Sequence, residues 1–319
     1  MANANFTTLI ATTLQNFSNK ILDNVVTNNS TLYFLKKRDN IKVVSGGRTF
    51  VEQLMYKTNA SFAARGGLDV ITTPVTDAIT ASEWNIKVVS GSIVLPTLDV
   101  AKNSGSKERL LDYAKAKALE AEVSMGEVLG DQLYNSAAGA NDFDSIVDII
   151  AEVPTASTSV GGINASANSY WQNISYDTVV TAFNTSQAGL NAIDTALNLA
   201  TFGRMGPKLM VTTKAIYTLY QLGITTNQRY APIDIGNAGF KALQYATIPI
   251  VFDDNVPAGN LYGIDTDALK LKVLSQGNMR QTPFQMKFDQ LAEAALLYIF
   301  GNLTCNSRRT QFVIDSITG

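Results

Sequence analysis

Residues 106 to 135, SKERLLDYAKAKALEAEVSMGEVLGDQLYN, carry the strongest helical pattern in the chain and set the scale of whatever surrounds them. Leu111, Ala114, Ala118, Ala121, Met125, Val128 and Gln132 recur at steps of three or four, a narrow stripe of mostly small residues. Lys115, Lys117, Glu120 and Glu122 fall mostly off that stripe. Ser106 is placed to act as N-cap, and Glu108 sits in the first turn, where the helix dipole favours an anion. At 1.5 Å per residue such a helix spans roughly 45 Å, far longer than is usual in a globular domain. It predicts a strut, with the rest of the chain attached along it.

What precedes the strut divides in two. Residues 1 to about 40 are polar, with only a weak helical pattern (Phe6, Leu9, Ile10, Leu14, Phe17), and predict an arm with little core of its own. TFVEQLMYK (49–57) is strand-like, with Phe50, Leu54 and Tyr56 on one face and Glu52 interrupting them. EWNIKVVSGSIVL (83–95) predicts a second strand, Trp84, Ile86 and Val88 alternating with Asn85, Lys87 and Val89. More than twenty residues without a strong helix separate the two, a length reserved for functional or partner-contacting loops. The two strands predict the stem of a long hairpin, with Gly66 and Gly67 giving flexibility or positive φ near its tip.

Beyond the strut, VPTASTSVGGINASANSYW (153–171) predicts a low-complexity connector without core-forming potential. A second helix is expected from Ser175 to about Thr201, with Val179, Phe183, Leu190, Ile193 and Leu197 as apolar positions. PKLMVTTKAIYTLYQLG (207–223) predicts a strand, a threonine cap, a short helix and a glycine stop. ITTNQRYAPIDIGNAGF (224–240) is a polar excursion. Strand-like runs TIPIVF, NLYGI, ALKLKVL and FQMKFDQLAEAALLYIFGNLTC close the chain, with TQFVIDSI as a last partner.

Composition narrows the chemistry. The 319 residues contain no histidine, which removes Ser-His-Asp and Cys-His catalysis, imidazole metal clusters and histidine pH switching together. One cysteine, Cys305, excludes an intrachain disulfide and a cysteine-rich zinc site, and its apolar setting predicts a buried, inert thiol. Charged residues make up 16% against 46% hydrophobic. A chain so short of charge must hide surface against other subunits as well as solvate itself with Asn, Thr and Ser. The net charge of −2 argues against extensive phosphate neutralisation. The densest basic run, Lys36-Lys37-Arg38 beside Asp39, predicts a solvated turn. The N-terminus has no secretory pattern and no apolar run is long enough to span a bilayer.

Four carboxylates, Asp253, Asp254, Asp265 and Asp267, lie between strand-like runs. Asp253-Asp254-Asn255 followed by Val-Pro-Ala-Gly, and Asp265-Thr266-Asp267 before ALKLKVL, are residues that tight reversals require. Acid/base catalysis needs two carboxylates in a cleft, one with a raised pKa, so turn chemistry is expected, with a cation or a hydrolytic pair as the alternatives. Ser104 to Lys107 matches S-x-x-K without the companion motifs of an acyl-enzyme site. No catalytic residue, metal or cofactor is expected.

The order of these parts resembles the HK97-like major capsid proteins of tailed bacteriophages. KLMVTTKAIYTLYQ (208–221), Ile248-Pro249-Ile250, Pro257-Ala258-Gly259 and Leu261 to Asp265 are similar to the A-domain pattern of those shells; Thr247 stands where they often carry glycine. The resemblance implies an α+β HK97-like capsid fold: an N-terminal arm (1–40), an extended E-loop hairpin (41–99), a spine helix with part of the P-domain (100–200), an A-domain (201–280) and return strands (281–319). It implies a structural, non-enzymatic shell protein that self-assembles through pentamers and hexamers into an icosahedral phage head enclosing double-stranded DNA without sequence-specific contact. Arg65, Gly66 and Gly67 would lie at the inter-subunit tip of the E-loop, and Asn227, Arg229 and Tyr230 on the capsomer-axis loop. Portal, scaffolding and decoration proteins are the implied partners, and no membrane. The implied location is the virion, assembled in the host bacterial cytoplasm. Lys57, on the hairpin, has no identifiable crosslinking partner. An encapsulin-like nanocompartment is the alternative of the same fold; a carboxylate-dependent hydrolase using Asp253 or Asp254, and a surface-layer protein, are the alternatives of other classes.

Overall fold

The structure, a computed structural model, describes residues 29–59, 61–62, 64–67, 77–103, 107–135, 139–156, 158–177, 183, 188–223 and 242–318. In chain order, α1 (Ser30–Lys37) leads into β1 (Ile41–Val44), β2 (Thr49–Met55), β3 (Ile79–Asn85) and β4 (Lys87–Pro96). Next come α2 (Thr97–Asn103), α3 (Lys107–Tyr134), α4 (Ile146–Ile149), β5 (Ser159–Val160), β6 (Ile163–Asn164) and a 3-10 turn at Ser169–Trp171. β7 (Ile174–Asp177), α5 (Ala188–Ala200), β8 (Leu209–Thr212) and α6 (Lys214–Gly223) precede a strand-rich end. That end comprises β9 (Ala242–Tyr245), β10 (Ile248–Phe252), β11 (Leu261–Ile264), β12 (Leu269–Leu274), β13 (Arg280–Gln281), β14 (Gln285–Met286), β15 (Ala292–Cys305) and β16 (Phe312–Asp315). The architecture is α+β.

Two six-stranded sheets organise these elements. In the first, β15 is the axle: β4 runs antiparallel to it from Ala292↔Pro96 to Gly301↔Lys87, while β12, β13 and β14 pair with it in succession. β1 lies parallel to β12. The alternation in Leu269-Lys270-Leu271-Lys272-Val273 puts the leucines and the valine inward, as period 2 requires. This sheet, α1 and the C-terminal part of α3 share one core, including Leu35, Met125, Leu129, Leu271 and Ile299. The second sheet has the order β7-β16-β11-β8-β10-β9. Against it pack α5 and α6, burying Ile193, Ala196, Ile216 and Tyr220 with Met210, Ile250 and Ile314. The predicted strand–cap–helix of 207–223 forms as expected, Thr213 Oγ1 accepting the Ile216 amide at 3.4 Å.

Several expectations need correction. The last part of the predicted arm is α1, N-capped by Asn29, whose side chain accepts the Leu32 amide at 3.0 Å, and it buries Leu32, Phe34 and Leu35 in the main core. Its apolar residues span one turn, too short for periodicity to register. Lys36, Lys37 and Arg38 then face solvent, as predicted. The buried stripe of α3 is Ala118, Glu122, Met125, Leu129 and Leu133, with Val128 exposed. The predicted stripe stepped on average 3.5 residues, a supercoil repeat; a single helix turns every 3.6 residues, so its face moves forward along the sequence and carries Glu122 inward. The predicted second strand is two: Trp84 is buried on β3, the period restarts at Ile86, and Val89, not Val88, is buried on β4. The connector is structured. Gly161 and Gly162, both at positive φ, turn β5 into β6, and Val160, Ile163, Ala165 and Trp171 enter the core. Residues 174–177, where the predicted helix was to begin, form a strand parallel to β16, and helix α5 is described over Ala188–Ala200. The partner lies far along the chain, where local pattern cannot show it.

Candidate interface elements: the projecting hairpin and its base

β2 and β3 pair antiparallel from Thr49↔Asn85 to Met55↔Ile79. One face of this stem turns inward, burying Phe50, Glu52, Ser82 and Trp84. The other presents Val51, Met55 and Ile79 to solvent, Met55 at 73% and Ile79 at 65% exposure, directly opposite each other. Beyond the stem Phe62 is 85% exposed. Arg65, Gly66 and Gly67 are exposed there too, with Arg65 Nη2 donating to the Ser61 carbonyl at 3.1 Å. A side chain on Gly67 would meet open space, so no close approach demands glycine there. The Lys57 ammonium sits 5.3 Å from the ring of Tyr56, which stacks on Tyr170.

The base of the hairpin is held by buried polar groups. Glu52, read in the sequence as an interruption, points inward and takes the ammonium groups of Lys270 (3.1 Å) and Lys272 (2.9 Å) from β12, plus the Thr304 hydroxyl (3.3 Å) from β15. Burial alone would raise its pKa, but hydrogen bonds and charge from Lys272 and Lys270 outweigh that and hold it below the ordinary carboxylate value. Lys272 also donates to the Val51 carbonyl. A second cluster fixes the β3–β4 break: Asn302 Nδ2 donates to the Asn85 carbonyl (2.8 Å) and the Asp144 carboxylate (2.5 Å), which also pairs with Lys87 (2.9 Å). On a third side the Glu83 amide donates to the Gly161 carbonyl at 2.9 Å, and Ser82 Oγ donates to the Cys305 carbonyl. The available signal for this anchorage was a charged residue at an inward position of β2, matched by the two lysines of LKLKVL.

Two of the four aspartates, Asp253 and Asp265, do turn chemistry, at separate places. Asp253 Oδ1 accepts the Asn255 amide (3.2 Å) and Oδ2 the Ser30 hydroxyl (3.1 Å), while Asp254 is exposed. Asp265 Oδ1 accepts the Asp267 amide (3.1 Å), and Asp267 pairs with Lys208. Burial pushes the pKa of Asp253 and of Asp265 up. Asp253 and Asp254 line a cleft of about 410 Å³ with Glu127 and Asn29, but Asp253 spends both oxygens on the turn and on α1. Among the described residues no cluster of three His, Cys, Asp or Glu side chains could hold a metal, and no helix is long and apolar enough to cross a membrane. Cys305 is fully buried, its thiol pushed up to about 12 by that burial, as its inert role requires. Ser104 and Ser106 lie outside the described residues, as do Asn227, Arg229 and Tyr230. The segment carrying the last three leaves from α6 and returns at β9, an edge strand tied back to α6 by Tyr220 Oη donating to the Gln244 carbonyl.

With this geometry in view, the chain is similar to several solved shells. It superposes on a subunit of the cyanophage A-1(L) capsid asymmetric unit with a TM-score of 0.68 at 15% identity, covering 87% of this chain and 90% of that one. The capsid of a native GTA particle gives a TM-score of 0.58 at 9% identity, covering 89% and 90%. The SrpI encapsulin complex of Synechococcus elongatus gives 0.53 at 10% identity, covering 88% and 85%. No family model matches the sequence, and no curated protein matches it. The fold is the HK97-like capsid fold, over nearly the whole chain.

Proposed function

We propose that this chain is the major capsid protein of a tailed bacteriophage, a structural subunit that self-assembles into an icosahedral head. The observation that carries this is the superposition on the cyanophage capsid subunit over 87% of the chain. The hairpin supports it. A stem locked at its base by Glu52 and Asn302, with Met55, Ile79 and Phe62 left exposed, is built to present apolar surface outward rather than fold onto its own subunit. Arg65, Gly66 and Gly67 then contact a neighbouring subunit, and Asn227, Arg229 and Tyr230 belong to the segment facing the capsomer axis. The subunit has no catalytic role. It works in the virion, is assembled in the bacterial cytoplasm through pentamers and hexamers, joins a portal with scaffolding or decoration proteins, and encloses DNA held without sequence readout.

Negative-stain microscopy of the purified protein tests this: closed shells are expected. Replacing residues 58–77, which spares the β2–β3 stem, with a short Gly-Ser link should leave a folded subunit that forms no closed shells. Normal shells from that deletion would overturn the role of the hairpin. The SrpI likeness supports one second reading, an encapsulin-type compartment. Particles purified from cells separate the two: nuclease-protected double-stranded DNA for a head, a packaged protein cargo for a compartment.

A further inference from the structure

The cluster that fixes the β3–β4 break holds more than an ion pair: an amine, a carboxylate and a carboxamide meet there, with the carboxylate of Asp144 between the other two. Its Oδ1 lies 2.9 Å from Lys87 Nζ, and its Oδ2 accepts Asn302 Nδ2 at 2.5 Å. The Asn302 carbonyl is held from the other side, Oδ1 accepting the backbone amides of Asp144 and Leu303, each at 2.8 Å. Asn302 is fully buried and the Lys87 side chain is 13% exposed, so little water competes for either group.

Each group occupies the place of a part in amide exchange. Lys87 supplies a nitrogen nucleophile, Asn302 Cγ the electrophile and Nδ2 the leaving nitrogen, while two backbone amides point at the oxygen where negative charge arises. Asp144, with one oxygen on the nucleophile and the other on the leaving nitrogen, is placed to carry a proton between them. We propose that Lys87 and Asn302 join through an isopeptide bond within one chain. Asp144 takes one proton from the Lys87 ammonium, and the freed Nζ attacks Asn302 Cγ while the Asp144 and Leu303 amides hold the oxyanion. Asp144 passes that proton to Nδ2, and the Cγ–Nδ2 bond breaks as the oxyanion collapses. Ammonia leaves and carries off a second Nζ proton as ammonium, so the products balance without any co-reactant. The event happens once per chain and turns over no substrate. It ties the first residue of β4 to β15 beside the root of the projecting hairpin, and it does not rest on the shell reading.

Mass spectrometry of the purified protein decides it. The intact wild-type chain should be lighter than its sequence by one ammonia, and digestion should yield a branched peptide that carries both position 87 and position 302. Lys87→Arg keeps a cation beside Asp144 but cannot close the bond, and Asp144→Asn removes the proton carrier. Both variants should run at their full sequence mass, with the two peptides separate. A wild-type chain at full mass would overturn the bond, as would ammonia lost without the branched peptide, which is cyclisation at an asparagine. Loss of water with a branch from position 87 to position 144 puts the bond on another acceptor and also overturns it. A branch that persists in Asp144→Asn overturns the proton relay. The wild-type masses decide the bond by themselves, so a variant that fails to fold does not shelter it.

Discussion

Replacing Glu52 with glutamine tests what orients the hairpin. The substitution keeps the volume of the side chain and a carbonyl oxygen for Thr304, and removes only the charge. Lys270 and Lys272 are then left on β12 facing each other, with side chains 24% and 14% exposed. Stripping one partner from a fully buried ion pair costs about 3–5 kcal/mol. Here both ammonium groups retain some water, so the expected loss is about 2–3 kcal/mol. The two tryptophans of the chain report on this corner directly. Trp84 lies on β3, Trp171 donates from Nε1 to the Val160 carbonyl beside Gly161, and both are buried. Urea unfolding of subunits, followed by tryptophan fluorescence, should show Glu52→Gln unfolding earlier than wild type. Adding Lys272→Met, which removes one of the two orphaned charges, should recover part of the loss. If Glu52→Gln unfolds at the wild-type urea concentration, the carboxylate does not hold the hairpin and its inward position is incidental.

The same carboxylate predicts an acid limb. Its folded pKa lies below the unfolded value, so its stabilisation is complete above the unfolded value and is lost as pH falls through the folded one; an acid titration of tryptophan fluorescence should show that step in wild type and not in Glu52→Gln. Gly161→Ala places a Cβ at φ +58 and 2.9 Å from Trp84 Cζ2, and should cost about 2–4 kcal/mol by chemical denaturation. Arg308, 1% exposed and with burial pulling its guanidinium down to about 10, donates to the carbonyls of Ile149 (2.6 Å) and Trp171 (3.1 Å) and to Asn173 Oδ1 (3.1 Å). Arg308→Met takes this donor from the Ile149 and Trp171 carbonyls, while Asn173 Oδ1 keeps the Ala151 amide and the burial of a charge is relieved, for a net loss of about 2–4 kcal/mol in the same assay. Asp254→Asn should leave subunit stability and particle yield unchanged, because the side chain is exposed and forms no part of the turn bonds around Asp253; a loss of any hydrolytic activity in this variant would revive the carboxylate alternative.

Elements whose period is carried by their own residues were legible. The strut, the helix of 214–223 and β12 each bury a face that repeats at 3.6 or 2 residues, whatever they pack against, and β8 and β11, buried at every residue, show instead as short apolar runs. Elements defined by a distant partner were not. β7 exists because Phe312 to Asp315 lie beside Ile174 to Asp177, and β5–β6 because Gly161 fits against Trp84, contacts that span many tens of residues. The turn role of the aspartates was legible because Asx side chains act within a few residues, as Asp253 does on Asn255 and Asp265 on Asp267. The polar clusters at the hairpin base were hidden for the opposite reason. Glu52 and Lys270 are 218 residues apart, and Asn302 and Asp144 are 158 apart, so each looked like an ordinary solvated charge or amide.

That separation bears on how a projecting hairpin can be kept in one orientation. A two-stranded ribbon has little core of its own and would swing about its root if apolar contacts alone held it, since these are non-directional. Hydrogen-bonded charges are directional and lose much of their value when displaced by an ångström or two. Here such groups stand on both strands of the stem, Glu52 on β2 and Asn85 at the end of β3, and both are answered from the same long strand, by Thr304 and Asn302 of β15. Removing either cluster alone should therefore let the stem pivot about the other, and removing both should free it. Hydrogen exchange of the β2 and β3 amides in unassembled Glu52→Gln, Asn302→Ala and double-variant subunits checks this. Faster exchange along the whole stem only in the double variant is the expected result, and uniform wild-type protection in all three would mean that Phe50 and Trp84 hold the hairpin by packing alone.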